Sequence, residues 1–130
     1  MPGLALKLAP NEQVLINGVV VENGPRRTQL LIRTDNAAIL RLREALGQDE
    51  VVGPASRAYY AAQQCVAGFV PPCEATKTLT PMLADLRTLP QAAETVANVE
   101  RQIASGNYYR VMRALRPLLD REKAQRAAAE

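Results

Sequence analysis

Leu4-Ala5-Leu6-Lys7-Leu8-Ala9-Pro10-Asn11-Glu12-Gln13-Val14-Leu15-Ile16-Asn17-Gly18-Val19-Val20-Val21-Glu22-Asn23-Gly24 is the stretch whose reading decides the fold. Leu4, Leu6 and Leu8 alternate with Ala5, Lys7 and Ala9, the period of two that marks a half-buried strand. Pro10-Asn11 makes a turn. Val14 to Ile16 and Val19 to Val21 are rich in β-branched residues, and Asn17-Gly18 between them is a type I′ hairpin signal. Asn23-Gly24-Pro25 is a second turn. Working outward, Arg27 to Arg33 reads as another strand, with Leu30 and Ile32 on one face, and Thr34-Asp35-Asn36 breaks it. Ala37 to Arg43 fits a strand or a helix start and is read as a strand.

Beyond a polar connector from Gly47 to Gly53 the period changes to that of helices. Pro54 or Ser56 opens the first, with Tyr59, Ala62, Val66 and Phe69 as its stripe and Gly68 and Pro71-Pro72 as stop signals. Cys73 to Thr78 reads as a linker, and Thr80 as the N-cap of a short helix with Pro81 at its first position. Pro90 starts the next, striped by Ala92, Val96, Val99 and Ile103 and closed by Gly106. Asn107 caps the last, with Tyr108, Met112, Leu115 and Leu119 on one side and Pro117 as a kink or restart. Strands followed by helices give an α+β fold: a small antiparallel β-domain over 1–50, then a helical bundle over 54–130.

Composition restricts the chemistry. The 130 residues contain no histidine, which removes the commonest general base and metal ligand, and with them any Ser-His-Asp or Cys-His arrangement. Cys65 and Cys73 cannot close a zinc site by themselves and are too few for a secreted disulfide scaffold, so both are expected as free thiols in a reducing cytoplasm. No basic n-region precedes an apolar segment, and no apolar run reaches the ~18 residues of a membrane span. Carboxylates are scattered, and no glycine-rich phosphate loop is present. The expectation is a protein that is not an enzyme, needs no cofactor or metal, avoids membranes and works in the cytoplasm.

Function must then reside in a surface. The net charge is only +3, but residues 101–126 carry seven basic side chains against two acidic ones. Arg26-Arg27 after a turn suit phosphate contacts, or keep a strand edge from pairing. Arg41 and Arg43 alternate with Leu40 and Leu42, so both face one side of the last strand. Arg110, Arg113 and Arg116 recur every three residues as a basic ridge or a solvated helix face. In each Tyr-Tyr pair the neighbours point about 100° apart. Tyr59 and Tyr108 are therefore expected inside, leaving Tyr60 and Tyr109 to stack on a base or sit at an interface.

The residues Leu6 to Glu12, Ile16-Asn17-Gly18, Glu22-Asn23-Gly24, Arg26-Arg27-Thr28, Tyr59 to Gln63, Gly106 with Tyr108-Tyr109, and Ala114-Leu115-Arg116 together resemble the flagellum biosynthesis repressor family FlbT. That resemblance implies a post-transcriptional regulator associated with the 5′ untranslated region of flagellin mRNA. Such a regulator represses translation or hastens decay, with the companion protein FlaF acting in the opposite sense. The first 45 residues are also similar to the CsrA-type RNA-binding β-domain, whose RNA edge combines the first and last strands, usually across a strand-exchanged dimer. Carried over, that edge involves Leu6, Lys7, Arg41 and Arg43, although Leu8 and Ala9 stand where that family has arginines.

The expected RNA-binding set is therefore Lys7, Arg26, Arg27, Arg41 and Arg43, with the helices dimerising or docking a partner through Tyr60, Tyr109, Arg110 and Arg113. The rival expectation is a protein-binding module that grips flagellin or FlaF through its helical half and affects the message indirectly.

Overall fold

The computed structural model describes residues 3–129, and their contacts divide the chain into two compact units, 1–45 and 46–130. The first contains the strands β1 (Leu4–Leu8), β2 (Gln13–Ile16), β3 (Val19–Glu22), β4 (Thr28–Ile32) and β5 (Ile39–Arg41). The second contains the helices α1 (Pro54–Val66), α2 (Pro72–Arg87), α3 (Ala93–Ser105) and α4 (Tyr108–Ala129). The fold is α+β, with antiparallel strands preceding helices.

In the β unit, β1 pairs with β4, setting Lys7 opposite Gln29 and Leu8 opposite Thr28. β2 is the centre of a second sheet in the order β3-β2-β5, with Val14 between Val21 and Arg41. The first and last strands thus belong to different sheets. Alternation puts Leu6 and Leu8 inside with Val14, packed by Ile16, Val21, Leu30 and Ile39, and turns Lys7 outward. Asn17 and Gly18 both have positive φ, 48° and 82°, as a type I′ turn requires. Asn17 also accepts the Ala38 N–H on its side-chain oxygen at 2.8 Å, which positions β5. That strand is shorter than expected. It stops at Arg41, and Leu42–Glu44 is a 3-10 turn closed by the Ala45 N–H on the Leu42 carbonyl, so Arg43 lies off the strand.

In the helical unit α1 opens at Pro54. Ser56 Oγ accepts the N–H groups of Val52 and Gly53, each at 2.9 Å. The first-turn N–H groups of Ala55 and Ser56 donate to the Glu122 carboxylate of α4, at 2.9 and 3.2 Å. Phe69 does not continue the stripe of Tyr59 and Ala62: α1 ends at Val66, Gly68 turns at φ 87°, and Phe69 is left 62% exposed.

Two expected boundaries are corrected. Cys73 to Thr78 is helix, not linker, because Pro72 takes the first helical position of α2, where its missing N–H is harmless. Thr80 does not cap. It lies inside α2 and donates its hydroxyl back to the Thr76 carbonyl at 2.8 Å, with Pro81 embedded in the same helix. Pro90 starts no helix either; α3 begins at Ala93, after Gln91 adopts φ 56°.

The last junction follows the sequence. Gly106 closes α3 at φ 76°, the left-handed conformation that favours glycine, and Asn107 accepts the Arg110 N–H at 3.1 Å. Pro117 sits inside α4, which runs on through it. Tyr59 and Tyr108 are buried, with Leu79, Leu86, Val99, Met112 and Leu115 among the other core side chains. Both cysteines are free; Cys65 is half-buried, and desolvation pushes its thiol pKa up. Among the described residues, no helix is long and apolar enough to cross a membrane, and no cluster of Cys, Asp and Glu could hold a metal.

Candidate functional site

The β unit carries a shallow depression of about 410 Å³ lined by Lys7, Leu8, Ala9, Glu12, Arg27, Thr28, Gln29 and Arg43. Three of the five expected RNA-binding residues therefore meet around one surface. Lys7 and Gln29 are register partners across β1 and β4, both on the outward face. Arg27 arrives from the loop before β4. That loop is held by Asn23, whose side-chain amide donates to the carbonyls of Ala9 and Arg26, each at 2.8 Å. Arg43 arrives from the turn after β5. Arg26 is exposed beside this loop and does not line the depression.

Glu12 organises the base of the site. Its Oε1 accepts the Ala9 N–H at 2.9 Å, closing the turn after β1. Its Oε2 lies 2.7 Å from Arg41 Nη1 and 3.7 Å from Arg43 Nε. The Glu12 side chain is only 7% exposed, whereas that of Arg43 is 63% exposed. The Ala9 N–H and the Arg41 guanidinium hold the Glu12 carboxyl below the usual carboxylate range; burial opposes this, and the charges of Arg41 and Arg43 add to it. The two arginines expected on one strand face thus take different roles. Arg41 is committed to the buried carboxylate, while Arg43 keeps most of its guanidinium in solvent.

Glu12 was not among the expected site residues, although it sits in the Leu-Lys-Leu-x-Pro-x-Glu stretch. The signal in the sequence is an acid directly after a strand and turn, in a unit whose last strand and the turn after it carry Arg41 and Arg43. Asn23 carried less signal still, because an Asn-Gly step reads first as a turn.

On the helical unit, Tyr60 lines an apolar groove between α1 and α2, while Tyr109, Arg110 and Arg113 are exposed on α4 and do not line it. Arg116, the third member of the expected ridge, lies over the Tyr59 ring with its guanidinium carbon 5.9 Å from the centroid.

The family model described as "Flagellar protein FlbT" matches residues 4–125, which takes in the strands, the depression, the first three helices and most of α4. The chain belongs to the FlbT family. It is 32% identical over 120 residues to a probable flagellum biosynthesis repressor protein FlbT of Rhodopseudomonas palustris (strain TIE-1), covering 92% of this chain and 94% of that one. A relative of the same description from Bradyrhizobium diazoefficiens, FlbT 1, is 28% identical over 130 residues, 98% of this chain and 87% of its own. The flagellum biosynthesis repressor protein FlbT of Caulobacter vibrioides (strain ATCC 19089 / CIP 103742 / CB 15) matches over 57 residues at 39% identity, covering 44% of this chain and 40% of that one. No solved structure matches this FlbT chain.

Proposed function

We propose that this protein is a post-transcriptional repressor of flagellin synthesis that binds the 5′ untranslated region of flagellin mRNA and blocks translation or promotes decay. The observation that carries the reading is the convergence of Lys7, Arg27 and Arg43 on one depression, beside the hydrogen-bonding side chains of Thr28 and Gln29. Cations of this kind hold phosphates, and neighbouring amide and hydroxyl groups reach the edges of unstacked bases. The names of the relatives support the repressor role. On this reading the β-rich region over 1–50 reads RNA in the cytoplasm, no cofactor is needed, and the helical region over 54–130 serves self-association or docking of flagellin or FlaF. Arg41 acts through Glu12, as a positioning residue.

The test is a salt titration of the full-length protein on a flagellin leader RNA beside a scrambled RNA. Three phosphate contacts predict a log-log slope of about −2. Joint replacement Lys7→Ala/Arg27→Ala should flatten that slope and weaken retention, with thermal unfolding unchanged. Equal affinity for the scrambled RNA, or a slope insensitive to the replacement, would overturn the assignment.

A further inference from the structure

The groove between α1 and α2 shares no lining residue with the basic depression. It has a volume of about 310 Å³ and is lined by Val51, Tyr60, Ala61, Val70 and Met82, with Arg57 and Gln64 at its polar margin. At the small end of binding cavities (~300–1,000 Å³), it suits inserted side chains rather than a whole cofactor. Val52 and Phe69, the chain neighbours of the groove residues Val51 and Val70, are large apolar side chains that are both exposed. Tyrosine, methionine and arginine are the residue types enriched at the cores of protein interfaces.

Charge selects the occupant. No carboxylate lines the groove, and among the described residues nothing engages the Arg57 guanidinium in an ion pair or side-chain hydrogen bond. An apolar segment bearing an acidic residue would supply both missing halves. Among the described residues, no helix of a second copy of this chain leaves an apolar stripe exposed. The apolar stripes of α3 and α4 are spent in the core through Val96, Val99, Met112, Leu115 and Leu119, and the exposed end of α4 offers only alanines. The large apolar side chains exposed on the β unit, Leu4, Val19, Val20 and Leu31, lie on strands.

We infer that the α1–α2 groove is a docking site for an amphipathic helix of a different protein, which inserts apolar side chains against Tyr60, Val70 and Met82 and sets a carboxylate on Arg57. The inserted residues would recur at i, i+3 or i+4, the spacing of helix-in-groove recognition.

The test pans a phage-displayed library of helical peptides, randomised in apolar and charged positions, against the full-length protein. Two groove variants serve for comparison: Arg57→Glu reverses the charge, and Thr78→Arg obstructs the groove from an exposed position of α2. Circular dichroism melts establish that both variants fold. The expected result is a consensus with helically spaced apolar residues and an acid. Binding to Thr78→Arg should fall at least tenfold, and binding to Arg57→Glu should be restored when lysine replaces the acid. No enriched consensus, a consensus without an acid, or peptides that bind the variants as tightly as the parent would each overturn the inference.

Discussion

At the scale of single residues, Glu12 links folding to the basic surface. Its carboxyl is held low by the Ala9 N–H and by Arg41, so the folded state keeps it ionised at pH values where an unfolded chain binds a proton. The stabilisation it supplies is fully present above the ordinary carboxylate pKa and is lost as pH falls through the depressed value. Glu12→Gln should therefore lower the melting temperature at pH 7 and shrink the difference between pH 7 and acid. Melts across that range check both. If the substitution instead left the acid sensitivity unchanged, Glu12 would not be its source. Because Glu12 also holds the turn after β1 and lies between Arg41 and Arg43, the same variant should weaken retention of the leader RNA at pH 7 as well.

Among the elements, the cap on α1 comes from a distant helix. Glu122→Ala removes the acceptor for the Ala55 and Ser56 N–H groups and should cost about 1 kcal/mol in urea unfolding, the usual loss of an N-terminal cap. Gly53 lies beside the same carboxylate: a Cβ there would come within 2.5 Å of Glu122. Gly53→Ala is thus expected to displace the cap and mimic its loss, and the double variant should be less than additive. This contact was illegible in the sequence, because nothing local marks a glutamate in a charged tail as the partner of a helix start 66 residues away. Local signals are legible where one residue type answers one backbone need, as at Asn17-Gly18, Gly106 and Asn107. They fail at α2. Pro81 reads locally as a helix start, whereas α2 already begins at Pro72 and the packing of Ala75, Leu79, Leu83 and Leu86 carries the helix through Pro81. The basic residues of the site were legible as types. Their convergence was not, since it depends on the pairing of β1 with β4 and on Glu12.

Across the whole molecule, the two units differ in how much they bury. The cluster inside the β unit centres on Leu6, Leu8 and Val14, with strands of three to five residues, whereas the helical unit fully buries Tyr59, Leu79, Leu86, Met112 and Leu115. Hydrogen exchange should accordingly be faster at the amides of β1 and β5 than at those of α1 and the middle of α4. Leu115→Ala should destabilise the helical unit by roughly 2–5 kcal/mol through the cavity it leaves, with the increase in exchange concentrated in the helices. A uniform increase along the chain would instead mean that both units open as one.

The loop that presents Arg27 hangs on the side-chain amide of Asn23, and the next residue is Gly24. Asparagine followed by glycine is the step most prone to spontaneous deamidation, because an unhindered backbone nitrogen can attack the side-chain carbonyl. The product is an aspartate or isoaspartate. Its carboxylate can accept but not donate, so it faces the carbonyls of Ala9 and Arg26 as like partial charges. Chemical ageing at Asn23 should therefore release the arginine loop while leaving the helices intact. Stored protein would lose the arrangement of its basic depression before it loses its fold, and peptide mapping for isoaspartate would date that loss.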